Sequence, residues 1–526
     1  MALAEQTDVK MAEKLKDGAE DDLSESQISK LFVGATVFLT GGTGFLGKLL
    51  IDKLLRCCPD IKKLYLLTRP KKNKDILKRL QEQFDDALYD TLRKELPDFI
   101  EKIAIIEGDM GELNLGISDE DRTKLINEVD FIFHGAATVR FDESLQTAVN
   151  INVRGTREIL NLARACKKLR AHVHISTAYS NCTRKDIDEV FYESVLPGEK
   201  LIDIVETMDE KTLNAITPGL LGDYPNTYVY TKAAAEDIVR TYSKGLPVAL
   251  FRPSIVISTS KEPTTGWIDN VYGPTGVVVG AAIGLLHVLH CNPKVVADLV
   301  PGDFVVNGCL AVAWKTSKTY LGNHEEAPVD QLPVVYNYIS SVEKPITWEL
   351  FMKYTEVYGL DVPSTKAIWA YLLILTPSAF FYSLLAFFLH WIPAYIADAF
   401  LTIIGKKPML VKAYTKIEKF STVISYFALR EWKFSNNNTQ NLFKELCDVD
   451  KRTFNFDVST LNWIEFYQTY VRGIRKYLLS DPLETIPQGR RKLFRLKILH
   501  YIIVTLCFLC LCKLFMFFAR LIVDLI

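Results

Sequence analysis

Ala35-Thr-Val-Phe-Leu-Thr-Gly-Gly-Thr-Gly-Phe-Leu-Gly47 passes from a short β-branched, apolar run into glycines at positions 41, 44 and 47. Lys48-Leu-Leu-Ile-Asp-Lys-Leu-Leu55 continues it with apolar residues at helical spacing. The order predicts a strand, a tight turn and a helix. In that setting the glycines allow a sharp turn, let backbone N–H groups approach a pyrophosphate and bring helix close to strand, while the helix N-terminus favours negative charge. Gly41, Thr43, Gly44, Phe45, Leu46 and Gly47 are therefore expected to line a dinucleotide site.

Further apolar runs lie at 64–67, 103–106, 131–133, 173–175 and 248–251, separated by charged segments long enough to hold crossover helices. Strands alternating with helices predict an α/β fold with a Rossmann-like, doubly wound parallel sheet. At the end of the second strand stands Thr68-Arg69-Pro70-Lys71-Lys72, where a protein selective for NAD would place an acid. Arg69 suits a 2′-phosphate instead, which favours NADPH. Asp109, after the third strand, is positioned for the adenine edge.

Tyr228-Val-Tyr-Thr-Lys232 puts a phenol and an ammonium four residues apart, on one helix face. A neighbouring ammonium stabilises phenolate and is expected to lower the tyrosine pKa, as a proton donor to a reduced carbonyl requires. Upstream, His174-Ile-Ser176-Thr177-Ala178-Tyr179 closes a strand at its carboxyl edge, where open α/β sheets bind ligands. A hydroxyl there can steady an oxyanion, and adjacent residues at a strand end point opposite ways, so Ser176 and Thr177 both stand as choices.

The chain has 526 residues, 49% hydrophobic and 24% charged, and a net charge of -1. These values fit several folded units, exclude a disordered scaffold and give no electrostatic footprint for nucleic acid. Ten mostly solitary cysteines point to a reducing compartment. Cys507, Cys510 and Cys512 sit in an apolar run with no second pair, so no metal site is expected. Residues 1–32 form an acidic, polar leader without the apolar core of a secretory signal.

From 262 to 303 the composition turns to Gly, Pro, Trp and Val, a substrate-facing pattern. No charged residue falls between Lys366 and Asp398, yet Pro377 and Pro393 interrupt the stretch. A buried or membrane-surface helical hairpin is favoured there over a true span. Residues 498–526 are almost wholly aliphatic and aromatic and follow Arg490, Arg491, Lys492, Arg495 and Lys497. A basic flank before such a run marks the cytosolic side of a C-terminal membrane segment.

Taken together, Thr40–Gly47, Asn152-Val-Arg-Gly-Thr156, Ser176-Thr177-Ala178 and the Tyr228/Lys232 pair resemble the extended short-chain dehydrogenase/reductases. More narrowly, three stretches resemble the fatty acyl-CoA reductases: Pro225-Asn-Thr-Tyr-Val-Tyr-Thr-Lys-Ala233, Gly266-Trp-Ile-Asp-Asn-Val-Tyr-Gly-Pro-Thr-Gly276 and Val300-Pro-Gly-Asp-Phe-Val-Val-Asn307. The likeness continues through Trp432-Lys-Phe-Ser-Asn-Asn-Asn438 and Asp450-Lys-Arg-Thr-Phe-Asn-Phe-Asp457 to Trp463.

The resemblance implies NADPH-dependent reduction of a long-chain acyl-CoA to a primary alcohol by way of an aldehyde, with release of CoA. By the same family pattern Tyr228 gives the proton, Lys232 holds the nicotinamide ribose, Thr177 (or Ser176) steadies the oxyanion, and Asn152 serves a proton relay. The implied organisation is a leader over 1–32, a reductase domain with substrate-binding portion over 33–360, a helical apolar domain over 361–480 and a basic flank with membrane anchor over 481–526. The catalytic body is then expected to face the cytosol, on the endoplasmic reticulum rather than the peroxisome, in contact with membrane lipid. Competing readings are a membrane-bound extended reductase acting on a sterol or other carbonyl substrate, and a non-catalytic lipid-binding protein.

Overall fold

The computed structural model describes residues 25–70, 75–322 and 331–525. Lys71 and Lys72 of the expected basic loop, and most of the leader, lie outside the described residues.

The glycine turn follows strand β1 (Thr36–Thr40) and opens helix α1 (Phe45–Cys57). Six further strands join β1 in one sheet: β2 (Lys63–Thr68), β3 (Ile103–Glu107), β4 (Phe131–His134), β5 (Ala171–Ile175), β6 (Val248–Pro253) and β7 (Val334–Tyr338). Every pairing is parallel and the spatial order is 3-2-1-4-5-6-7, so the order reverses between β1 and β4. The crevice at that reversal, beyond the carboxyl ends of the strands, is where such sheets bind ligands.

Buried on both sides, the strands read as nearly continuous apolar runs, as all-parallel sheets require. Strand alternation divides their side chains between the two faces. Phe38, Tyr65, Leu67, Ile106 and Ile132 pack with Ile159, Leu162 and Ala163 of α2 (Gly155–Ala165). Val248, Leu250 and Val335 pack with Tyr230, Ala234 and Ile238 of α3 (Thr227–Tyr242). The opposite face is covered by α1 and by α4 (Gly302–Gly322), which packs on β5 and β6.

The chain resolves into two compact units, each assembled from three separate stretches. The first holds the sheet and comprises the described residues of Met1–Thr265, Ala297–Ile346 and Glu431–Leu461. The second comprises Gly266–Val296, Thr347–Arg430 and the described residues of Asn462–Ile526. Within the second, α5 (Trp348–Asp361) packs on α8 (Trp463–Gly473) through an aromatic cluster, with Phe351 and Tyr467 ring centroids 5.5 Å apart.

The uncharged stretch after Lys366 is helical only in part. Ile374–Thr376 pairs with Val288–His290 as a short strand, and a helix α6 spans Ala379–Ile403 with a π-type turn at Phe387–Trp391. Pro393 directly follows that turn, near the start of the last α-helical segment, where its missing N–H is tolerated. Helix α7 (Leu410–Ala428) returns along it, which makes a helical hairpin. The last helix, α9 (Ile486–Leu525), contains an 18-residue window of mean hydropathy 2.6, none of it buried. Both α6 and α9 are long and apolar enough to cross a bilayer.

Candidate active site

Two positions around the turn after β1, 41 and 47, admit only glycine. Gly41 has φ +81°, and a Cβ there would come within 2.8 Å of the Ala136 backbone nitrogen beyond β4. A Cβ at Gly47 would lie 2.1 Å from the Gly41 carbonyl oxygen. This closeness brings the start of α1 against the turn, with the Gly44 N–H donating to the Gly41 carbonyl at 2.9 Å and the Thr43–Gly44 corner exposed, and no acid occupies the first turn of the helix. Phe45 and Leu46 are half-buried beneath it.

Arg69 and Asp109, at the carboxyl ends of β2 and β3, stand together, with Nε to Oδ2 at 3.8 Å. The arginine side chain is 56% exposed, so it remains open to solvent beside the glycine turn's strand. Asp109 also accepts the Gly111 backbone N–H at 2.9 Å, which fixes its loop.

On the far side of the crevice Tyr228 and Lys232 lie on α3, whose first turn is capped by Asn226 accepting the Val229 N–H at 3.1 Å. The Lys232 ammonium donates to the Ile175 carbonyl at 2.8 Å, tying α3 to the end of β5. Burial pulls its pKa down to about 8, opposed by the charge of Glu236 one turn further on. The Tyr228 phenol is hydrogen-bonded to Thr177, and its ring packs against Phe141 at 5.7 Å.

The expected lowering of the tyrosine pKa does not occur. Burial pushes the phenol up to about 12, only partly offset by the bond to Thr177. Lys232 donates one of its N–H groups to a backbone carbonyl, and burial also lowers its own pKa. Tyr228 is therefore protonated at neutral pH, the form that a proton donor needs.

Ser176 and Thr177 part company here. Thr177 faces Tyr228 and accepts the Tyr179 N–H at 3.3 Å. The Ser176 hydroxyl donates to Glu236 at 2.5 Å. Glu236 is also gripped by Arg252 of β6 through Nε at 2.9 Å and Nη2 at 2.7 Å, and Asn181 donates to it at 3.2 Å. This buried cluster joins α3, β6 and the loop after β5, and sequence reasoning passed over it. The visible signal was the position of Glu236, four residues after Lys232.

Asn152 lies in a π-type turn over Val149–Arg154. Its carboxamide accepts the Thr138 N–H at 2.9 Å and donates to the Thr138 carbonyl at 3.2 Å and to the Thr231 hydroxyl at 3.0 Å. It thereby fastens the loop beyond β4 to the residue preceding Lys232. Below the site three histidines line one sheet face: His134 bonds Thr40 at 2.7 Å and Thr156 at 3.2 Å, while the buried ring nitrogens of His172 and His174 have no hydrogen-bond partner among the described residues.

Two family models described as male sterility protein match the chain, an NAD-binding one over residues 39–309 and one named Sterile over 389–481. The chain is 41% identical over 481 residues to fatty acyl-CoA reductase wat of Drosophila melanogaster, covering 91% of each protein. It is 38% identical over 484 residues to fatty acyl-CoA reductase 2 of Homo sapiens, covering 92% of each. Among solved structures, the reductase domain of a non-ribosomal peptide synthetase from Mycobacterium tuberculosis superposes with a TM-score of 0.53 at 18% identity, over 88% of this chain and 97% of that one. The terminal R domain of the myxalamid PKS-NRPS pathway gives 0.51 at 18% identity, over 84% and 90%. Those two likenesses speak for the fold, a nicotinamide-dinucleotide-binding one. Identity near 40% over nine-tenths of both partners reaches further: this chain belongs to the fatty acyl-CoA reductases, a family of oxidoreductases.

Proposed function

We propose that this protein reduces a long-chain fatty acyl-CoA to the primary alcohol, with NADPH as reductant, an aldehyde between the two steps and CoA released. The observation that carries the reading is the meeting of Thr177, Tyr228 and Lys232 at the carboxyl end of β5, across the sheet reversal from a glycine turn that excludes side chains.

The residues fit the cofactor. A Cβ at Gly41 or Gly47 would collide with backbone, so the turn keeps the close approach that a pyrophosphate requires. Arg69 offers its guanidinium to a 2′-phosphate, which supports NADPH over NADH, and Asp109 beside it is suited to the adenine edge. When bound, NADPH supplies a hydride to the carbonyl carbon.

Tyr228 donates the phenolic proton to the oxygen that gains charge, and Thr177 hydrogen-bonds the same oxygen. Lys232, anchored on Ile175, holds the nicotinamide ribose and adds positive charge. Asn152, bonded to Thr138 and Thr231, keeps the proton path beside Lys232 in register. Ser176 is committed to Glu236, which favours Thr177 as the acting hydroxyl. In the first reduction the C–S bond breaks and CoA leaves as a thiolate that takes up a proton; the second adds hydride and proton to the aldehyde. Each reduction consumes one reductant and one proton, and neither needs a nucleophilic cysteine. Helix α9 anchors the protein, with the catalytic body on the cytosolic side of the endoplasmic reticulum.

The test is to incubate membranes carrying the full chain with acyl-CoAs of about C14 to C26, with NADPH or NADH, and to analyse the lipid by gas chromatography. Fatty alcohol is expected with NADPH, falling by at least about 100-fold in Tyr228→Phe, and Arg69→Ala should narrow the preference for NADPH. Wild-type rates in Tyr228→Phe would overturn the assignment of the acid. No alcohol or aldehyde from any acyl-CoA would point to another carbonyl substrate or to lipid binding alone.

A further inference from the structure

Helix α6 has two unlike sides. Ala386, His390, Ala394 and Asp398, each four residues after the last, form one buried stripe. Phe380, Phe387, Phe388, Tyr395, Ile396 and Phe400 are all more than half exposed. A contiguous exposed face of this kind marks an interaction surface in a folded protein.

The buried stripe is fastened to its own unit. His390 Nε2 accepts the His287 backbone N–H at 3.0 Å, and its ring stacks on Tyr414 of α7 at 4.8 Å. The Asp398 carboxylate accepts the backbone N–H groups of Met409, Leu410 and Val411, each at 2.9 Å, and so caps the start of α7. Where α6 goes, α7 goes with it. Yet α7 carries exposed Lys412, Lys416 and Lys419, and the turn between the helices carries exposed Lys406 and Lys407. A lysine taken to the centre of a bilayer is strongly disfavoured, which weighs against a crossing by this hairpin.

At a membrane surface the same residues are all satisfied. The apolar face sinks about 5–10 Å into the boundary between headgroups and acyl chains, and the lysines meet anionic headgroups. The position fits as well. Trp369 Nε1 donates to His500 Nδ1 of α9 at 3.1 Å, and Arg490 and Lys492 donate to the Asp361 and Thr365 carbonyls at 2.9 and 2.7 Å. The chain leading into α6 is thus tied to α9 where its basic flank gives way to the apolar run.

We propose that α6 lies flat in the headgroup region of the leaflet that α9 enters, a second membrane-contact site that does not cross the bilayer. The inference rests on α9 as a membrane span. Its occupant is an anionic lipid surface.

The test uses the full chain in vesicles of phosphatidylcholine and phosphatidylserine whose acyl chains carry bromine either near the headgroup or near the tail end. Phe388→Trp, Ile396→Trp and Phe400→Trp each add one fluorophore on the exposed face, read against the unsubstituted protein, with retained acyl-CoA reduction as the check on folding. Each added tryptophan is expected to be quenched at least about twofold more by the shallow bromines than by the deep ones. Deep bromines quenching the position 388 or 396 variant best would mean a span and overturn the proposal. No added quenching in any variant, with the protein still floating with vesicles after an alkaline carbonate wash, would overturn it while sparing α9, and would leave a second copy or water against this face. Failure to float would overturn both.

Discussion

At the scale of single residues the site turns on how burial sets two proton affinities. Lys232 is drawn down to about 8 by burial, and Glu236 opposes that shift. The proposed chemistry needs the ammonium, so reduction should slow as pH rises through about 8, where Lys232 loses its proton. Glu236→Gln removes the opposing charge, and the descending limb should move to lower pH. Initial rates of acyl-CoA reduction by membranes, followed from about pH 6.5 to 9.5, measure both limbs; a limb that stays in place in Glu236→Gln would mean that another group titrates. Tyr228 and Lys232 were legible because four-residue spacing puts two side chains on one helix face. The split between Ser176 and Thr177 was not, because it depends on Glu236 and Arg252. Those two stand sixteen residues apart, on α3 and β6, and only the sheet order brings them together.

Elements explain what supports the site from below. His134 on β4, and His172 and His174 on β5, share one face of the sheet, since alternate residues of a strand point the same way and His134 pairs with His174. Burial lowers His172 to about 3 and holds His134 and His174 well below the ordinary range near 6.5. The folded protein therefore binds fewer protons than the unfolded chain once pH drops below about 6.5. Stability is full above that value and falls between about 6.5 and 3, by up to about 1.4 kcal/mol per pH unit for each histidine. Thermal unfolding between pH 7.5 and 5 should show a falling midpoint, and His172→Leu should flatten the slope; an equal slope in that variant would assign the acid sensitivity elsewhere. Strands β1 to β6 were visible as short apolar runs, because a strand buried on both faces needs no polar alternation. β7 was not singled out, and its five residues lie at the edge of the sheet. The helical pattern after Lys366 does not begin until Ala379, since Ile374–Thr376 takes a strand partner far away in sequence, at Val288–His290.

Across the whole molecule each unit closes on itself by borrowing stretches from three parts of the chain. Periodicity along a sequence is local, so it reveals the change of composition near Glu262 but not that Gly266–Val296 shares a unit with Thr347–Arg430. The candidate membrane segment is different, because length and hydropathy alone define it. Among the described residues, none of the apolar window of α9, which follows the basic flank Arg490 to Lys497, is buried. An aspartate placed near the centre of such a helix costs about 2.5–3.5 kcal/mol. Leu506→Asp combined with Leu509→Asp should thus weaken insertion by about 5–7 kcal/mol, a thousandfold or more. The double variant is expected to leave the carbonate-resistant membrane fraction. Acyl-CoA reduction per molecule should persist when the substrate is presented in detergent, because neither leucine lies in the unit that holds Tyr228 and Lys232. If the variant remained carbonate-resistant, α9 could not be the anchor, and the hairpin of α6 and α7 would have to hold the protein in the bilayer against the charges it carries.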